Sequence, residues 1–244
     1  MTTRVVIHFT GEDLDDVLAF SRIKADVKKM MREGHELIII HGGEIQFDRA
    51  LKKRNWDAAK HTPPETLALR DETILELTKN FVSKLSDDLV PALALAAKDL
   101  GMVQIAASGD EPPHIVKVKA ELLVAHLQKK VVPVISPLVR DGDGRSRMMT
   151  SEVIAAKLSA ALGADMLIYV SETPKILGEG KPLEKLSEAD AAEKNIIVPE
   201  AARAAWQSLR EGTKQAFITT LSGMEKILLQ SQPAPTELIL MESI

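Results

Sequence analysis

The stretch from Leu37 to Leu51, LIIIHGGEIQFDRAL, constrains the fold most strongly. A wholly apolar run meets His41-Gly42-Gly43 and then gives way to an amphipathic segment. That order predicts a buried strand over Leu37–Ile40, a turn bare of side chains, and a helix over Ile45–Arg54. A strand apolar on both faces needs cover on both, which a helix-flanked parallel sheet provides. The bare turn lets backbone N–H groups approach an anion and aims a helix N-terminus at it. Glu44 places an acid where a bound anion would want none.

The same alternation runs along the chain. Strands are expected at Val5–Phe9, Val103–Ala107, Ile115–Val118, Val131–Pro137, Met166–Val170, Ala216–Thr220 and Leu238–Met241. Helices are expected at Leu14–Glu33, Ala120–Lys129, Ser151–Leu162, Ser187–Lys194 and Pro199–Glu211, with a mostly helical stretch from Leu67 to Leu100 interrupted near Pro91. Asn55–Thr66, with Pro63-Pro64, reads as a loop; Thr10–Gly11 and Gly178–Pro182 read as loops, and Ser108–Pro113 and Asp141–Gly144 as turns. The fold class is therefore α/β, a three-layer αβα sandwich with a mostly parallel central sheet. The 244 residues are 45% apolar but only 3% aromatic, so Ala, Leu, Ile and Val must build the core. Ligands of such folds sit beyond the carboxyl ends of the strands. That rule selects His8–Glu12, His41–Glu44, Ser108–Pro113, Ser136–Arg147 and Ser171–Lys175.

Composition removes several functions. Without cysteine there is no disulfide, thiolate metal site or cysteine nucleophile. A net charge of −4 argues against non-specific nucleic-acid binding. No apolar run approaches a membrane span, and MTTRVVIHF lacks the apolar core of a signal peptide, so a cytoplasmic protein is expected. The histidines show no metal-ligand spacing, so no metal site is assigned. Neither a dinucleotide glycine pattern nor a serine elbow is present. Arg140, Arg145 and Arg147 surround an acidic turn and read as a solvated, salt-bridged hairpin or, alternatively, an anion clamp. His41 reads as structural.

Four blocks in order, VVIHFTGEDL, LIIIHGG, LALRDETILEL and VVPVISPLVRDGDG with TSEVIAAKLSAALGADMLIYVSETPKIL, resemble the amino acid kinase family, most closely its acetylglutamate kinases. The resemblance covers nearly the whole chain. It implies one domain over residues 1–244, with a substrate-side lobe to about residue 140 and a nucleotide-side lobe beyond. It also implies ATP-dependent phosphorylation of an acyl-amino-acid carboxylate, with Mg²⁺ accompanying the nucleotide. Gly42 and Gly43 would face the substrate and the transferring phosphoryl group. Arg70 would hold the substrate carboxylate, with Thr150 at the substrate and Thr10, Gly11, Ser171 and Glu172 at the nucleotide. Family members usually dimerise through the substrate half, so a homodimer is expected, with Leu67–Leu100 as the interface helix.

The chain departs from the family pattern where charge matters. His8 stands in place of a phosphate-binding lysine, and Pro199 falls where a second lysine belongs; Lys194 and Arg203 are the nearby substitutes. Glu152 replaces an aspartate that orients those lysines, Glu44 replaces a glycine, and Met148 and Thr150 replace asparagines. His8 and Glu152 are the catalytic candidates, provided that an acidic neighbour such as Glu152 raises the His8 pKa. The expectation is weak or absent catalysis and a ligand-binding or regulatory role, alone or beside an active relative. The alternative is an active kinase for N-acetylglutamate or another small carboxylate with a rearranged site.

Overall fold

A computed structural model describes residues 2–57, 60–106, 113–170, 176–178, 181–228 and 236–240. In chain order its elements are β1 (Arg4–Phe9), α1 (Gly11–Asp15), α2 (Val17–Arg32), β2 (Glu36–His41), α3 (Glu44–Lys53), α4 (Pro63–Asp87), β3 (Ala92–Ala96), β4 (Val103–Ala106), β5 (His114–Val118), α5 (Glu121–Gln128), β6 (Val132–Ser136), β7 (Leu138–Arg140), β8 (Ser146–Met148), α6 (Ser151–Ala161), β9 (Met166–Val170), β10 (Leu177–Gly178), β11 (Lys181–Pro182), β12 (Lys185–Ser187), α7 (Glu188–Glu193), α8 (Glu200–Glu211), β13 (Gln215–Thr219), α9 (Leu221–Leu228) and β14 (Thr236–Ile239).

The central sheet runs β12-β14-β13-β9-β1-β2-β6-β3. Its neighbouring strands are parallel except β13 and β14. Alternation along each strand splits the core into two layers. Val6, Ile38 and Ile40 pack with α5, α6 and α8 residues such as Leu123, Ile154 and Trp206. Val5, Ile7, Phe9, Leu37 and Ile39 pack with α2, α4 and α9 residues such as Ile23, Phe81 and Met224. This is the expected αβα sandwich. The chain builds β2, β6 and β3 to one side of β1 and β9 and β13 to the other. The order reverses at β1, and crevices for ligands form beside such a strand. A smaller sheet, β5-β4-β7-β8, carries the basic hairpin.

Several boundaries differ from the sequence expectation. The stretch from Leu67 to Leu100 is not mostly helical: α4 ends at Asp87, and Ala92–Ala96 pairs in parallel with β6. The run ALALA is made of good helix formers, and pairing with β6 overrides that preference. Pro63 and Pro64 open α4 rather than lying in a loop. Thr62 caps the helix, accepting from the Glu65 N–H while the Glu65 carboxylate takes the Thr62 N–H. The expected helix from Leu14 to Glu33 breaks at Asp16, whose ψ of 123° is extended and whose side chain caps α2. β12 and α9 were not anticipated. Most of the Ser108–Pro113 turn lies outside the described residues. Among the described residues, no helix is long and apolar enough to cross a membrane.

Candidate functional site

The ends of β1 and β2 lie side by side, and the loops that follow them interlock. Phe9 accepts a hydrogen bond from the Gly42 N–H at 3.0 Å. Thr10 caps α1: its hydroxyl accepts from Asp13 N at 3.2 Å and donates to Asp13 Oδ2 at 2.7 Å. Gln46 of α3 donates to the Gly11 carbonyl at 2.7 Å, tying the first loop to the second. A side chain on either glycine would crowd its neighbours. A Cβ on Gly43 would lie 2.2 Å from Ile74 Cδ1 of α4, and one on Gly42 would lie 3.0 Å from Glu44 Oε2 and 3.2 Å from Gly11 N.

His41 fixes the second loop. It is fully buried, with Nδ1 at 2.6 Å from the Gly42 carbonyl and Nε2 at 3.0 Å from the Thr78 hydroxyl. Burial pushes its pKa down to about 4, so the ring is neutral and has one N–H. A carbonyl only accepts, so these partners assign that hydrogen to Nδ1. His41 is a packing residue that holds the Gly42 peptide in place, as its sequence position suggested.

The charge at the loops is negative. Gly43 N–H donates to Glu44 Oε2 at 3.0 Å, so the first donor of α3 is occupied by the chain's own carboxylate. His8 is 2% exposed, and its pKa is pushed down to about 4, chiefly by burial, with Glu44 opposing. The expectation that an acidic neighbour raises the His8 pKa is therefore overturned: desolvation beats the nearby charge. Neutral His8 places Nε2 at 2.8 Å from Ser151 Oγ and 3.9 Å from Glu152 Oε2. Ser151 in turn donates to Glu152 Oε2 at 3.1 Å, so His8 Nε2–H donates to Ser151. Tyr169 donates to the Glu152 carbonyl at 2.8 Å, and burial and Glu152 push its phenol up. Among the described residues, this chain of partners contains no cation.

The lysine substitutes do not repair it. Pro199 caps α8. Lys194 is exposed and pairs with Asp190 at 4.0 Å, while Arg203 pairs with Glu200 at 3.0 Å and donates to the Val198 carbonyl. Thr150 is exposed and precedes α6 without bonding its N–H groups. Ser171 and Glu172 lie outside the described residues. In the basic hairpin, Asp141 accepts from Arg147 Nε at 3.0 Å and from the Arg145 N–H at 2.8 Å, which makes it a salt-bridged turn.

Positive charge gathers instead on the α4 side. Arg70 donates to Asp71 Oδ1 at 2.7 Å and to the Ser146 carbonyl at 3.3 Å. Lys98, just beyond β3, donates to Asp71 Oδ2 at 3.1 Å and to Ser146 Oγ at 3.3 Å. Sequence reasoning missed Lys98 because the strand before it was read as helix; reading β3 correctly would have placed it at a strand mouth. Among the described residues, no group of three or more acidic or histidine side chains can hold a metal ion. At the glycine loops Glu44 occupies the Gly43 N–H and His8 brings no charge to a phosphate; of the expected nucleotide residues, only Thr10 and Gly11 lie among the described ones. A cleft of about 630 Å³ along the β12–β14 edge contains none of these residues.

With this geometry in view, comparison with known proteins is specific. The sequence model of the Amino acid kinase family matches residues 3–220. The chain belongs to that family. Acetylglutamate kinase of Prochlorococcus marinus (strain NATL1A) is 28% identical over 204 residues, covering 78% of this chain and 67% of that protein. Acetylglutamate kinase of Chloroflexus aggregans (strain MD-66 / DSM 9485) is 25% identical, covering 92% of this chain and 94% of that protein. Among solved structures, N-acetylglutamate synthase from Neisseria gonorrhoeae with coenzyme A and N-acetyl-glutamate superposes with a TM-score of 0.81 at 18% identity; 99% of this chain is covered but only 60% of that one. Carbamate kinase from Giardia lamblia bound to AMP-PNP gives a TM-score of 0.70 at 16% identity, covering 98% of this chain and 99% of that one. These amino acid kinase-fold structures share the architecture at low identity, so they speak to fold alone.

Proposed function

We propose that this amino acid kinase-family chain is a binding protein for a small carboxylate of the acyl-amino-acid class that has lost phosphoryl transfer. The single observation that carries the reading is the Glu44 carboxylate, 3.0 Å from the Gly43 N–H where a transferring phosphoryl group would need a donor. Phosphoryl transfer depends on positive charge and pre-aimed donors. The neutral His8 and the Pro199 cap remove two cations. Loss of one transition-state donor alone raises the barrier by about 3–4 kcal/mol. The carboxylate half keeps its charge: Arg70 and Lys98 against Asp71. A sensing or regulatory role, as a homodimer or beside an active relative, follows from binding without turnover. The family's nucleotide, ATP with Mg²⁺, would then bind weakly.

The acetylglutamate kinase relatives favour one alternative, an active kinase whose site is rearranged. Thermal shift measurements separate the two. N-acetylglutamate raises the melting temperature and Mg-AMP-PNP does not. A shift with Mg-AMP-PNP that deepens when N-acetylglutamate is added supports the active kinase and contradicts the proposal.

A further inference from the structure

Arg70 and Lys98 bring two positive charges to one carboxylate, Asp71. The three side chains are largely enclosed, at 11%, 15% and 19% exposure. Ser146 adds only a neutral hydroxyl and carbonyl. Arg70, Lys98 and Asp71 together carry one more positive charge than negative, in a place where solvent compensates poorly, and the neighbouring Asp99 carboxylate is turned to the Ala96 N–H, at 2.8 Å, rather than to Lys98. Its position is also specific. Arg70 lies one helical turn before Ile74, which packs on Gly43. Ile74, Ala96 and Leu138 form a small buried core cluster beneath it, with Met148 packed against them. Ser136, in register with Ala96 at the end of β6, is fully buried and its hydroxyl has no hydrogen-bond partner among the described residues. A hinge of backbone holds Lys98 there: its N–H donates to the Leu138 carbonyl at 2.7 Å.

We propose that Lys98 is the second cation of a carboxylate seat and sets its selectivity for acids over amides, with Asp71 holding the seat until a ligand carboxylate shares Arg70 and Lys98. This inference rests on the carboxylate-binding reading above and goes beyond Arg70, the residue that resemblance alone supplies. The rise along α4 separates Arg70 from the Ile74–Gly43 contact by about 6 Å.

The test is calorimetric titration of the full chain with N-acetylglutamate and with its α-amide. Wild type binds the acid and discriminates against the amide. Lys98→Met weakens the acid by about 10- to 100-fold, the range for one charged hydrogen bond, and erases the discrimination. Lys98→Arg restores both to within a few-fold, and Asp71→Asn, which frees both cations, tightens the acid. A Lys98→Met chain that keeps affinity and discrimination overturns the role of Lys98 while leaving the carboxylate-binding reading intact. Wild type that binds neither compound overturns both.

Discussion

Replacing Glu44 by glutamine removes one negative charge from the point where the two glycine loops meet and keeps a side chain of the same length. The carboxylate has two roles in the structure. It accepts from the Gly43 N–H at 3.0 Å, and its Oε2 would lie 3.0 Å from a Cβ on Gly42, within the same small space as Gly11 N. For stability the charge is favourable, because it faces the N-terminus of α3; at an exposed position that contributes about 0.3–1 kcal/mol. For an incoming anion it is unfavourable. Two like charges 4 Å apart repel by about 4 kcal/mol at an effective dielectric of 20 and about 1 kcal/mol in bulk water. Glu44 is exposed, so the lower part of that range applies, about 1–2 kcal/mol or roughly 5- to 30-fold in affinity. Glu44→Gln is therefore expected to melt slightly lower and to bind pyrophosphate about tenfold more tightly, with the gain shrinking as salt screens it. Isothermal titration at low and high ionic strength reads both. Equal or weaker pyrophosphate binding by Glu44→Gln refutes the view that this carboxylate guards the loop.

Other outcomes follow from the same geometry. Gly43→Ala forces a methyl to within 2.2 Å of Ile74 Cδ1 and is expected to lower stability by about 1–3 kcal/mol; adding Ile74→Val, measured by urea unfolding, recovers part of it. His8 and His41 both have pKa values lowered from 6.5 to about 4 in the fold. The unfolded chain takes up protons first, so stability is full above pH 6.5 and falls as the pH drops toward 4; His8→Gln and His41→Gln each flatten that fall in urea midpoints across pH 4–7. Arg203→Ala, which loses the surface pair with Glu200 and the exposed hydrogen bond to the Val198 carbonyl, leaves ligand affinity unchanged by titration and lowers stability by no more than about 1 kcal/mol.

The sandwich was legible because β1, β2, β6 and β9 are continuous apolar runs that end at recognisable turns, and such runs fit a sheet covered on both faces. The bare turn at Gly42 and Gly43 was legible for the same reason: an apolar run that ends in two glycines before an amphipathic segment marks a strand-to-helix turn. β3 was not, since Ala-Leu alternation satisfies helix and strand alike and only its pairing with β6 decides. That ambiguity hides Lys98, because a helix running through Ala92–Ala96 has no strand mouth for it to stand at. The state of His8 was also beyond the sequence. Its partners Ser151 and Glu152 come from α6, far along the chain, and the burial around the ring outweighs the opposing charge of Glu44. Glu44 was visible as an acid out of place, but its return to the Gly43 N–H is a matter of side-chain geometry.

ADP release from the full chain with Mg-ATP and N-acetylglutamate at pH 7.5 tests most directly whether the frame survives without phosphoryl transfer. No ADP above the enzyme-free background is expected at micromolar protein. Sustained turnover in the ordinary enzyme range, about 1–10³ s⁻¹, contradicts it.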